Sequence, residues 1–177
     1  MRIAVVSDTH MPRRGPLPAA CLARLRAADA IVHAGDWSDA DALDRIRGLG
    51  VPLVGVRGNV EDAAVRRALP ETAVLDAGGL RIAVVHDAGP ESGRLERLRR
   101  RFPDAGAVVF GHSHIPLLAR AGDGFLILNP GSPTDRRRSP RHTMAEITVG
   151  DGPPEVAFLA VDDPPGTLDA SLVRSAS

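Results

Sequence analysis

The chain has 177 residues, 44% of them hydrophobic and 25% charged, a balance that suits one globular domain with a full hydrophobic core. Its basic residues, all of them arginine, number 22 and equal its 22 acidic ones, so no net positive field argues for general nucleic-acid binding. No apolar stretch approaches the roughly 18 residues of a membrane span, and the lone Cys21 rules out an internal disulfide and fits a reducing, cytoplasmic setting.

The first element is the apolar run Ile3-Ala4-Val5-Val6, too short for a signal-peptide core and read as a strand. It stops at Ser7-Asp8-Thr9-His10. In extended geometry residues i and i+2 share a face, so Asp8 and His10 can converge on one ion. A Pro-rich loop over 11–16 leads to a helix predicted near 17–28, with Leu22 and Leu25 inward. The second apolar run, Ala30-Ile31-Val32, continues through His33 into Gly35-Asp36. Ser38 followed by Asp41 resembles a capping box for a helix carrying Leu43 and Ile46, stopped by Gly48 and Gly50. The run 53–56 then leads through Arg57 into Gly58-Asn59, and a short helix over 61–69 is closed by Pro70.

Strands over 72–76 and 80–85 form a hairpin around Gly78-Gly79, the second ending directly at His86. A helix over 91–102 places Leu95, Leu98 and Phe102 on one face and basic residues on the other. The run 107–110 enters Gly111-His112-Ser113-His114. Strands near 115–120, 124–128, 142–149 and 155–161, separated by turn-rich stretches, read as an antiparallel meander. Residues 1–161 thus make one domain that mixes a parallel-type half with a hairpin-rich half. The Pro-rich, small-residue stretch 162–177 is expected to be a flexible tail.

Five short apolar runs therefore each end in an oxygen or nitrogen donor. In α/β sheets, sites form outside the carboxyl ends of the strands, so these ends can meet in one place. Taken together and in order, Asp8-Thr9-His10, Gly35-Asp36, Gly58-Asn59, His86 and Gly111-His112-Ser113-His114 resemble the five motifs of the calcineurin-like metallophosphoesterases. Pro12-Arg13-Arg14, Arg57 and Asn129-Pro130-Gly131-Ser132 match its small YfcE-like phosphodiesterase branch. The resemblance covers roughly residues 1–160. It implies an α/β/β/α sandwich, two facing mixed sheets flanked by helices, with a dinuclear metal centre at one edge.

The resemblance also implies two ligand sets. Asp8, His10, Asp36 and His114 would hold one metal, while Asp36, Asn59, His86 and His112 would hold the other. Asp36 is the natural bridge, because one carboxylate can offer an oxygen to each ion. This mixed N/O set without thiolate suits two divalent transition-metal ions, manganese first, with iron, zinc or nickel as alternatives. Two ions about 3.5–4 Å apart can bind a bridging hydroxide and clamp a phosphoryl group for in-line displacement. The expected activity is hydrolysis of a small phosphodiester or nucleotide, with Asp36, Asn59 and His86 at the catalytic centre. The alternative is a non-catalytic protein-binding scaffold of the same fold, the role of a related retromer subunit. The expected partner is a small phosphoester, with no membrane and no general nucleic acid; self-association is left open.

Several residues keep two readings. Arg13 and Arg14 either orient a substrate phosphate through paired donors or sit in a solvated loop. Trp37 is either a packed anchor or a pocket wall, and His33 either a hydrogen-bonded strand histidine or a partner of the site. The chain departs from the family at Val60, where many relatives carry a histidine that protonates the leaving group, and at Ala88, where a second histidine is common. Asp87 then either supplies the missing acid and touches substrate, or caps a loop.

Overall fold

The computed structural model describes residues 1–175, and its strands begin and end close to the apolar runs of the sequence. In chain order the elements are β1 (Arg2–Val6), α1 (Ala19–Arg26), β2 (Ala30–His33), α2 (Ala40–Arg47), β3 (Leu53–Gly55) and α3 (Ala63–Ala68). The second half supplies β4 (Thr72–Ala77), β5 (Leu80–Val85), α4 (Arg94–Arg101), β6 (Ala107–Val109), β7 (Leu117–Arg120), β8 (Leu126–Asn129), β9 (Thr143–Thr148), β10 (Glu155–Ala160) and β11 (Gly166–Thr167).

The strands form two mixed sheets. One has the order β11-β10-β9-β1-β2-β3 and the other β4-β5-β6-β8-β7. Alternation along each strand produces three apolar layers, because successive side chains point to opposite faces. Ile3, Val5, Ile82, Val84, Val109, Leu128 and Ile147 fill the space between the sheets. Ala4, Val6 and Ile31 face the other way, onto Leu25 of α1, Leu43 and Ile46 of α2 and Val65 of α3. Ala83, Val85 and Val108 pack outward on Leu98 of α4. The result is the expected four-layer α/β/β/α sandwich. Cys21 lies in the α1 layer, where burial pushes its thiol up to about 12, so it packs as an apolar side chain.

The hairpin-rich half does not stand apart as a meander. The β7–β8 hairpin closes the second sheet, with β8 parallel to β6, whereas the β9–β10 hairpin crosses to the first sheet and pairs antiparallel with β1. Pairing partners are set by non-local burial, which the turn signals between strands do not encode. The cap of α2 also differs from expectation. Asp39 rather than Ser38 accepts from the amide of the third helical residue, Ala42 N, at 3.0 Å, while Ser38 N is drawn to Glu61.

The stretch after Val161, expected to be a flexible tail, lies against the body as far as residue 175. Strand β11 pairs with β10, Leu168 is buried between the sheets, and Arg174 N donates to Pro116 O at 2.9 Å. Spaced apolar residues at 168 and 173 carried that information among the prolines. Residues 176–177 of the expected tail lie outside the described residues. Among the described residues, no helix is long and apolar enough to cross a membrane.

Candidate metal centre

Strands β1, β2 and β3 of one sheet and β5 and β6 of the other run parallel within their sheets, so their carboxyl ends open at the same edge of the sandwich. The five polar motifs meet there. Asp8, His10, Asp36 and His114 offer donor atoms that all lie within 4.8 Å of one another, a set able to hold a divalent metal. Asn59, His86 and His112 complete the group on the far side of Asp36. Asn59 Oδ1 is 2.9 Å from His86 Nε2 and 3.0 Å from His112 Nδ1, and His86 Nε2 is 3.3 Å from Asp36 Oδ1.

The protons on these rings can be assigned from their partners. His86 Nδ1 is 2.7 Å from Ala34 O, and a carbonyl only accepts, so Nδ1 carries the hydrogen. The neutral ring then presents a bare Nε2 lone pair to Asn59 Oδ1 and Asp36 Oδ1. His114 is tethered to a carbonyl in the same way. Its Nδ1 donates to Asp135 O, and its Nε2 stands 3.2 Å from Asp8 Oδ1 and 3.3 Å from His10 Nε2. Lone pairs aimed at acceptors repel unless a cation lies among them or a ring is protonated. A metal-bound histidine commonly donates its other N–H to a backbone carbonyl in this way. The donor set therefore fits a transition-metal ion, by its chemistry and by its proton positions.

The same crowding governs the titration of the site. Burial alone would raise the Asp8 carboxyl, but the hydrogen bond and charge of His114 outweigh it and hold it below its usual range. Burial would lower His114, yet the hydrogen bond and charge of Asp8 raise it above the ordinary value. His10 moves the other way: burial depresses it more than Asp36 and Asp8 can restore.

Backbone conformation marks the same residues. Asp8, His10, Asp36, His112 and His114 all have positive φ, between 44° and 69°. The left-handed region costs a residue with a Cβ about 1–2 kcal/mol, so it persists only where surroundings enforce it. Those surroundings can be named. Asp8 N donates to Gly35 O at 2.9 Å and His10 N to Asp36 O at 3.0 Å, locking the first two loops together. Ser132 Oγ donates to Asp8 O at 2.7 Å, and Asn129 Nδ2 donates to Gly111 O at 2.7 Å. The Asn129–Ser132 stretch thus ties the β1 loop to the β6 loop.

Glu61 plays the corresponding part for Asp36, and nothing in the sequence singled it out. Its buried carboxylate accepts from Asp36 N at 2.8 Å, Gly58 N at 2.8 Å, Trp37 N at 3.0 Å and Ser38 N at 3.0 Å. It thereby fixes the Gly35–Ser38 turn and the Gly58–Asn59 turn at once. The helix expected over 61–69 starts after Glu61: Asp62 caps it, accepting from Val65 N at 2.8 Å. Gly58 shows how closely the two turns approach: a Cβ there would lie 2.5 Å from Asp36 N and closer still to its Oδ1.

The residues with two readings fall as follows. Trp37 is fully buried, stacks on His33 at 3.4 Å and donates from Nε1 to Val56 O at 2.8 Å, so it is a packed anchor. His33 accepts from Gly35 N through Nδ1 at 3.1 Å and therefore donates from Nε2 to Thr9 Oγ1, 3.0 Å away. Burial holds its pKa down to about 3, so it is neutral. Arg13 and Arg14 are exposed, and Arg14 Nε lies 3.2 Å from Asp135 Oδ2, beside the carbonyl that takes the His114 proton. Asp87 is exposed, and its Oδ1 accepts from Gly89 N at 2.7 Å.

Comparison with known proteins points the same way. Residues 1–152 match the model of the calcineurin-like phosphoesterase superfamily domain. A probable metallophosphoesterase of Methanocaldococcus jannaschii is 34% identical over 155 residues, covering 85% of this chain and 77% of that protein. Another, from Methanothermobacter thermautotrophicus, is 32% identical over 178 residues, covering 99% of this chain and 93% of its own. Among solved structures, zinc-complexed wild-type Vps29 of Entamoeba histolytica superposes with a TM-score of 0.78 at 23% identity, covering 96% of this chain and 99% of that one. That likeness speaks for the fold.

Proposed function

The chain belongs to the calcineurin-like phosphoesterase superfamily, and from that premise we propose that it is a dinuclear-metal phosphodiesterase acting on a small phosphodiester or nucleotide. The observation that carries this reading is the convergence of seven donors, Asp36 among them, with the Nε2 lone pair of His86 aimed at oxygen. Asp8, His10, Asp36 and His114 would hold one ion, and Asp36, Asn59, His86 and His112 the other. Divalent ions so held would supply positive charge to a phosphoryl group and lower the pKa of a bound water from about 15.7 towards 7.

The chain's own part is to place donors and fix protons. Ala34 O and Asp135 O hold the tautomers of His86 and His114 so that each Nε2 stays available. Glu61 holds Asp36 where its Oδ1 faces Asn59 and His86 while its Oδ2 faces His10 at 3.7 Å. Val60 stands where a proton donor for the leaving group would be useful, and its side chain has none. Without another donor, the leaving group would depart with little protonation.

A binding scaffold of the same fold is the competing reading, and it rests on fold likeness alone. A scaffold has no need for left-handed backbone at five donor residues. The test is hydrolysis of bis(p-nitrophenyl) phosphate by the purified chain loaded with manganese, repeated after chelation. Turnover that chelation abolishes and manganese restores is expected. No turnover with any added divalent metal would refute the proposal.

A further inference from the structure

Beside the donor cluster lies a cavity of about 310 Å³ that Asn59 and His86 border on one side and Arg57, Arg66 and Arg101 on another. The three guanidiniums come from separate elements: the loop after β3, α3, and the last residue of α4. Arg66 donates from Nε to Glu61 O at 2.9 Å and from Nη2 to Asn59 O at 3.0 Å, so it is fastened to the turn that presents Asn59. Arg57 Nη2 lies 3.4 Å from Glu71 Oε2, and Arg101 Nη2 lies 3.9 Å from Glu71 Oε1. Arg101 also rests over the Phe102 ring, 5.2 Å from its centroid.

Glu71 is 70% exposed, and Arg57 and Arg101 are 37% and 41% exposed, so both ion pairs are screened by solvent and loosely held. Three arginines against Glu71 and Asp87 leave the cavity with one positive charge in excess. Guanidinium presents paired donors matched to phosphate oxygens, and a cavity with three of them suits an anion carrying more than one charge. A phosphoryl group seated among the seven donors already has its cations. The arginines are therefore placed for something else.

We infer that this cavity is a subsite for a second phosphate, so that the preferred substrates are phosphoesters carrying a further phosphate rather than simple diesters. The inference rests on the phosphodiesterase reading. Glu71 is a loosely held place-holder between Arg57 and Arg101 that the incoming phosphate displaces.

A matched pair of probes tests this: thymidine 5′-(p-nitrophenyl phosphate) with and without a 3′-phosphate, which release the same p-nitrophenolate. In the wild type, the 3′-phosphate should raise kcat/KM by about tenfold or more, the effect of a charge-assisted hydrogen bond or two. Arg101→Met should bring the ratio of the two kcat/KM values towards one, and Glu71→Gln should increase it. A wild-type ratio near one, or a ratio that Arg101→Met leaves unmoved, would overturn the subsite. A second readout needs no turnover: inorganic diphosphate titrated calorimetrically into the metal-free protein should bind about tenfold more weakly to Arg101→Met. Equal binding by both proteins would also overturn the subsite. If neither ester is hydrolysed but diphosphate binding depends on Arg101, the phosphodiesterase reading fails and the anion subsite stands.

Discussion

Replacing Glu61 with alanine removes the acceptor shared by the backbone amides of Asp36, Trp37, Ser38 and Gly58. A buried donor left without a partner costs about 1–3 kcal/mol. Water entering the space of the lost carboxylate would satisfy part of the set, so the expected loss is about 3–5 kcal/mol. Against a total stability of about 5–15 kcal/mol, that is a large fraction. Glu61→Gln should lose less, about 1–3 kcal/mol, because its amide oxygen can still serve the Asp36 and Gly58 side while its NH₂ faces the Trp37 and Ser38 amides. Urea unfolding in the presence of chelator isolates this effect, since these bonds involve no metal. Manganese titration of the same variants should show binding weakened by about 10–100-fold, as Asp36 loses its support. If Glu61→Ala stays within about 1 kcal/mol of wild type and binds manganese equally well, the carboxylate is not what holds Asp36.

Gly58→Ala would force a Cβ to 2.5 Å from Asp36 N, so the two turns must separate and strain the bonds both make to Glu61; metal uptake should fall sharply, and stability against urea in chelator should fall with it. His33 stays neutral in the folded chain down to about pH 3, whereas the unfolded chain protonates it near its ordinary value of 6.5. Between those values the unfolded state binds more protons, so stability falls as pH falls, by up to about 1.4 kcal/mol per unit. His33→Gln should flatten that slope in urea melts, and an unchanged slope would count against the assignment. With Val60 unable to give a proton, rates on diesters should rise steeply as the leaving-group pKa falls. A flat series in the wild type that turns steep in Asp87→Asn would hand the acid role to Asp87.

Much of the edge of the sandwich could be read from local sequence. Runs such as Ile3–Val6 and Ile82–Val85 are apolar on both faces because both faces are covered, and each stops where the polar donor begins. The order of strands could not be read in the same way. Strand β8 settles beside β6, and β9 crosses to β1, because of where complementary apolar faces lie in space. Glu61 was hidden for a related reason: its partners are backbone amides, which have no letter in a sequence. The arginine cavity was hidden because residues 57, 66 and 101 meet only once α3 and α4 have packed on different sheets. At residues 162–175 prolines and small residues mask the buried Leu168.

The most direct test of the central claim is anomalous diffraction from crystals of the chain grown with manganese. Two peaks are predicted, one on each side of the Asp36 carboxylate: the first among Asp8, His10 and His114, the second among Asn59, His86 and His112. A single peak under saturating manganese, or two peaks that do not share Asp36, would contradict the account.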